Sequence, residues 1–242
     1  MTDSAPSEVR LQLDGAGHHY RAGRRIGPIT FTAGVGQVVG LVGANGSGKT
    51  TTFRMITGLA TIDSGTVTVD GTGVRYGFLP TATTAMIEEP AFYDWASGRD
   101  NLRLAAGGRA DRNDRIGAVL QEVGLSGAAD DLVKRYSQGM RQRLGLARIL
   151  LHDARLILLD EPTNGLDPEG MRWLRELLRS LAGRGVTILV SSHLLHELEQ
   201  IADTLVVLSH GKVLLAGDAA AICASSDSLE SLYLRLVDSD RG

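Results

Sequence analysis

Gly43-Ala44-Asn45-Gly46-Ser47-Gly48-Lys49-Thr50 is the stretch on which the fold turns. It satisfies the pattern G-x-x-x-x-G-K-[ST] throughout, and it stands between an apolar run at 38–42 and a helix-forming stretch at 50–58. Glycines let a backbone curl until successive N–H groups face a phosphate chain. The helix that follows adds its positive N-terminal end. Lys49 is placed to neutralise the β- and γ-phosphates of a nucleotide, and the Thr50 hydroxyl to ligate Mg²⁺. A glycine-rich turn with a solvent-facing lysine is the plain alternative, and the strand before and helix after argue against it. Gly43, Ala44, Asn45, Gly46, Ser47, Gly48, Lys49, Thr50 and Thr51 are therefore the candidate nucleotide contacts.

Outward from the loop, the run at 38–42 is almost continuously apolar, as a strand buried on both faces should be. Residues 156–159 and 186–190 repeat this character, ending in Asp160-Glu161-Pro162 and Ser191-Ser192-His193. Helical patterns follow at 169–181 and 194–201. Apolar strands alternating with helices describe a parallel α/β core. Before the loop, residues 9–40 are strand-like: Val9, Leu11 and Leu13 alternate, as do Ile29 and Phe31. Val67 and Val69 lead into an Asp70-Gly71 turn, 81–108 is mixed and Gly-broken, and 112–124 is helix-forming. A hairpin is expected from 206–208 and 212–215 around His210-Gly211, and Leu229, Leu232, Tyr233 and Leu236 share one face of a last short helix. The expected architecture is a parallel-sheet α/β core with an antiparallel β subdomain and an α-helical subdomain.

Asp160 stands at the C-terminal end of a buried strand, where open parallel sheets bind ligands. It is suited to hold Mg²⁺, and Glu161, one residue on, to orient and deprotonate an attacking water. Alone, Asp-Glu-Pro after a strand is a common turn. Together with the phosphate loop it marks a P-loop NTPase.

Tyr136-Ser137-Gln138-Gly139-Met140-Arg141-Gln142-Arg143 resembles the signature segment of ABC ATPases, usually Leu-Ser-Gly-Gly-Gln, and precedes the Asp160 strand at the spacing that family uses. Ser137 reads as an N-cap for a helix running to Leu150. The other family elements follow in order: Asn164-Gly165-Leu166-Asp167 looks like the D-loop, and Ser191-Ser192-His193 like the switch-histidine segment. Tyr20 stands where the family's adenine-stacking aromatic is found. The resemblance covers about residues 9–217. It implies an ABC ATP-binding domain over 8–217, its helical subdomain at about 84–150, with a short C-terminal helical extension at 218–242. Glu161 and His193 are then the catalytic pair, Ser137, Gln138, Gly139 and Met140 the contact made to ATP in a second chain, and Thr50 and Asp160 the Mg²⁺ ligands.

Two positions depart from the family pattern. Gln138 replaces the first signature glycine and Met140 the final glutamine, while Ser137 and Gly139 are kept. No glutamine stands where the Q-loop should lie. Instead, Met86-Ile87-Glu88-Glu89-Pro90-Ala91-Phe92-Tyr93 followed by Ser97-Gly98-Arg99-Asp100-Asn101-Leu102 resembles bacterial drug and peptide-antibiotic exporters, in which a Glu commonly takes that place. Glu88 is the candidate, also as a ligand of Mg²⁺ or its water, with Glu89 the alternative.

With a net charge of −3, the 242-residue chain lacks the basic balance of a general nucleic-acid binder, and no nucleic-acid partner is expected. Its one cysteine, Cys223, cannot form an internal disulfide, which suits a reducing cytoplasm. No apolar run approaches the roughly 18 residues a bilayer span needs. The resemblance implies a cytoplasmic subunit, peripheral on the inner face of the cell membrane, that powers export through a separate multispanning permease. It also implies a homodimer or pseudo-dimer closed by ATP. The competing reading is a non-transport ABC ATPase with a soluble regulatory or assembly role. The single phosphate loop, single signature and missing heptad run disfavour the ribosome- and chromosome-acting members.

Overall fold

The computed structural model of the protein describes residues 8–192, 195–224 and 229–241. In chain order the strands are β1 (Val9–His19), β2 (Arg25–Gly34), β3 (Val38–Val42), β4 (Ser64–Val69), β5 (Thr72–Gly73), β6 (Thr83–Met86), β7 (Leu156–Leu159), β8 (Thr187–Ser192), β9 (Thr204–Ser209) and β10 (Lys212–Asp218). The helices are α1 (Lys49–Ile56), α2 (Gly98–Ala106), α3 (Ala110–Glu122), α4 (Gln138–Leu150), α5 (Pro168–Gly183), α6 (Leu195–Glu199), α7 (Ala219–Ala224) and α8 (Leu229–Arg241).

Two sheets divide the strands. One is antiparallel, in the order β2-β1-β4-β5; the other runs β10-β9-β3-β8-β7-β6. In the second, β3 pairs in parallel with β8 and β9, β7 pairs in parallel with β6 and β8, and β10 closes the edge as the antiparallel partner of β9. Side chains alternate across a strand, so each central strand feeds two cores. Val38, Val42, Ile157, Leu159, Ile188 and Val190 face the layer that holds α2 to α5. Val39, Leu41, Leu156, Leu158 and Leu189 face Phe53, Met55 and Ile56 of α1 and the antiparallel sheet. This double burial is why these strands read as unbroken apolar runs.

The strand β6 was not visible as such a run. Its Thr83 and Thr84 are buried threonines, and it pairs with β7 along Thr83↔Leu156 to Met86↔Leu159. The start of the range expected for the helical part thus contains a strand of the core sheet, and the helices begin with α2. That helix is capped by Ser97, whose side chain accepts the Asp100 N–H, and it ends at Gly107 in the left-handed region. The helices α2, α3 and α4 bury Leu102, Ile116, Leu120 and Leu144 among them. Among the described residues, no helix is long and apolar enough to cross a membrane.

Candidate active site

The parallel pairing of β3, β8 and β7 brings three strand ends side by side: Val42 lies opposite Ser192, and Leu159 opposite Val190. The chain leaves β3 into the phosphate loop, β7 into Asp160-Glu161, and β8 at Ser191-Ser192. A cleft of about 520 Å³ opens there, lined by the loop, Tyr20, Glu88, Asp160 and Glu161 among others.

The loop's glycines are there for space and for backbone angle. A Cβ on Gly43 would stand 2.4 Å from Ser47 Oγ and 2.6 Å from the Leu208 carbonyl, so only glycine fits. Gly46 and Gly48 have φ of 82° and 116°, which L-residues with side chains rarely adopt. Lys49 is 94% buried by residue and folds back over the loop, its ammonium donating to the Gly43 carbonyl at 2.6 Å and standing 3.6 Å from Glu161 Oε1. Thr50 Oγ1 donates to Asp160 Oδ2 at 2.7 Å, and Ser191 Oγ donates to the other carboxylate oxygen at 2.5 Å. The same Ser191 oxygen accepts the Glu161 N–H at 2.9 Å. Glu161 itself has φ 51°, a strained conformation for a non-glycine residue, of the kind that gathers at functional sites.

Tyr20 reaches this cleft from the antiparallel sheet side. Its hydroxyl bonds Thr51 Oγ1 at 2.7 Å, and its ring meets His18 edge-on, centroids 4.6 Å apart. Glu88 and Glu89 both line the cleft, and the Glu88 carboxylate pairs with the Arg54 guanidinium. His193 lies outside the described residues.

A second cleft, about 460 Å³, is lined by Ser137, Gln138, Gly139, Met140, Arg143, Gly165, Leu166 and Asp167. Among the described residues, none lines both clefts. Ser137 caps α4, its hydroxyl accepting the Met140 N–H at 3.2 Å; Asp167 caps α5 in the same way, accepting the Gly170 N–H at 2.7 Å. The N-terminal end of α4 so presented carries the positive end of the helix dipole, which favours an anion.

Several residues of the first cleft carried no signal of their own in the sequence. Arg24 donates to the Gly46 carbonyl, and Gln142 donates to the Pro162 carbonyl at 2.9 Å; both line the cleft. Gln142 and Ser191 sat inside motifs noted for other residues. Nothing in the sequence singled out Arg24.

The donor set suits a nucleotide with Mg²⁺. Among the described residues, no group of three His, Cys, Asp or Glu could enclose a metal. Mg²⁺ does not need one, since it keeps waters and takes phosphate oxygens beside one or two protein ligands. The hard-oxygen pair of Thr50 and Asp160 meets that demand. The buried Ser47 Oγ, without a hydrogen-bond partner among the described residues, adds an unused polar group to the loop.

The family profile described as "ABC transporter" matches residues 26–164, over half of the chain. The uncharacterized ABC transporter ATP-binding protein YhcH of Bacillus subtilis (strain 168) is 41% identical over 208 residues, covering 84% of this chain and 68% of its own. The lantibiotic transport ATP-binding protein SrtF of Streptococcus pyogenes is 37% identical over 198 residues, covering 82% and 84%. Among solved structures, the ATP-binding subunit of an ABC transporter superposes with a TM-score of 0.84 at 29% identity, over 94% of this chain and 99% of that one. The chain belongs to the ABC transporter family of ATP-hydrolysing proteins and is one of its ATP-binding subunits.

Proposed function

We propose that this chain is the ATPase engine of an exporter for a peptide antibiotic or similar compound, working with a separate multispanning permease at the inner face of the cell membrane. The observation that carries the mechanism is the presence of two clefts, one built for phosphates and one presenting a capped helix N-terminus, with no lining residue in common among the described residues. A second copy would bring its Ser137–Met140 turn to the ATP held on the first copy's loop. The name of the lantibiotic transport relative supports the export of a peptide antibiotic.

In this reading ATP lies on Gly43–Thr51 with its base against Tyr20. Lys49 holds the β- and γ-phosphates, and Thr50, Asp160 and Glu88 would hold Mg²⁺, which neutralises phosphate charge when bound. Glu161 orients the attacking water and accepts its proton; the Ser191 contact fixes its backbone. His193, which lies outside the described residues, is assigned the switch-histidine role in hydrolysis by its place in the sequence, and Asp167 would align the two chains. The ATP-binding domain spans 8–217 with a helical subdomain at about 84–150, and 218–242 is a short C-terminal helical extension. Exposed Tyr93 and Trp95, beside the Glu88 segment, suit a permease contact. The same ATPase without a permease would be a regulatory or assembly protein, and co-purification with a multispanning protein separates the two.

Two variants test the chemistry. Glu161→Gln should retain ATP affinity, lower turnover by about 100-fold or more, as loss of a general base does, and accumulate an ATP-bound dimer on gel filtration. Near-normal turnover would refute the base. Lys49→Ala should weaken ATP binding itself in an equilibrium titration.

A further inference from the structure

The helix α8 is anchored away from the site. Leu229 is fully buried, its N–H donates to Glu199 Oε1 at 2.7 Å, and Val237 is buried two turns later. Tyr233 falls between them on the same helical face, at the i+4 position from Leu229. Its ring is half-buried against the core. Its hydroxyl goes elsewhere: it accepts the N–H of Ala44, in the phosphate loop, at 2.9 Å.

That N–H has a particular partner in its own peptide unit. The Gly43 carbonyl and the Ala44 N–H belong to one planar trans peptide and point in opposite directions. The carbonyl receives the Lys49 ammonium at 2.6 Å; the N–H is received by Tyr233. The peptide cannot rotate without disturbing both bonds. Polarisation adds to this, because an N–H engaged by an acceptor makes its carbonyl a better acceptor in turn.

We propose that Tyr233 is a positioning residue for Lys49: the C-terminal helix fixes the Gly43–Ala44 peptide, and the peptide fixes the ammonium that meets the phosphates. The proposal rests on the reading that Gly43–Thr50 binds ATP. It gives the extension beyond residue 217 a direct part in nucleotide affinity. The contact spans 189 residues.

Tyr233→Phe keeps the ring and its packing while removing the hydroxyl. Binding of ATP to the purified chain is measured by isothermal titration for wild type, Tyr233→Phe, Lys49→Ala and the double variant, with melting temperature read alongside. Tyr233→Phe should weaken ATP binding about three- to tenfold, the range spanned by one hydrogen bond, at an unchanged melting temperature. In the Lys49→Ala background the same substitution should have no further effect. Wild-type affinity in Tyr233→Phe, an equal loss in both backgrounds, or a loss that follows the melting temperature would each overturn the proposal. Undiminished affinity in Lys49→Ala would instead overturn the phosphate-loop reading on which it rests.

Discussion

Gly139 has no room for a side chain, because a Cβ there would stand 2.8 Å from the Gly165 carbonyl. The approach is mutual: a Cβ on Gly165, at φ 77°, would meet Gln138 Cγ at 2.6 Å. The turn that starts α4 is thus pressed against the segment leading to Asp167. Two effects of Gly139→Ala oppose each other. Alanine in a helix gains roughly 0.5–1 kcal/mol over glycine, whereas a backbone contact that short must shift one of the two loops. The melting temperature should therefore change little while the second cleft is displaced. Turnover should fall at least about tenfold, or about 1.4 kcal/mol of barrier, with ATP affinity of the single chain retained. A variant of normal turnover would show that the second cleft takes no part. Side chains with a fixed local job were legible in the sequence, since a phosphate loop or an N-cap is written within eight residues. Arg24 and Tyr233 were not, because each meets the loop across a long separation that only packing defines.

Secondary-structure elements show the same division. The strands β3, β7 and β8 were legible because both faces are buried, and β9 with β10 because a His210-Gly211 turn joins two apolar runs. The strand β6 was hidden by its threonines, and the sheet order by the absence of any local signal for parallel neighbours. Packing between α3 and α4 also collects charge that no single motif announces. His152, just beyond α4, is half-buried, and burial together with the charges of Arg112, Arg148 and Arg115 lowers its pKa from the ordinary 6.5. The neutral imidazole is favoured in the fold and the unfolded chain takes up the proton first. Stability should then hold above pH 6.5 and be lost as pH falls through that value towards the lower folded pKa. His152→Gln should flatten this part of the profile in urea denaturation series run on either side of that range. An identical slope in wild type and variant would assign the acid loss to other groups.

At the scale of the whole molecule, the two clefts make a claim about copy number. Each chain offers Lys49, Thr50 and Asp160 in one cleft and Ser137 and Gly139 in the other, lined by separate residues. If hydrolysis needs both, it needs two chains, each lending its turn to the other in a two-fold arrangement. That can be tested with two inactive variants. Lys49→Ala removes the phosphate contact but leaves the Ser137 turn. Ser137→Arg blocks the turn but leaves the phosphate loop. Mixed in equal amounts, half the dimers pair one of each, and each mixed dimer holds one composite site whose two halves are both intact. Turnover should therefore recover to about a quarter of wild type at the same total concentration, if the two sites act independently. Two copies that merely associate, with each site complete in its own chain, would stay as inactive mixed as they are alone. The recovered activity should also fall away on dilution, because the composite site exists only while the copies are together.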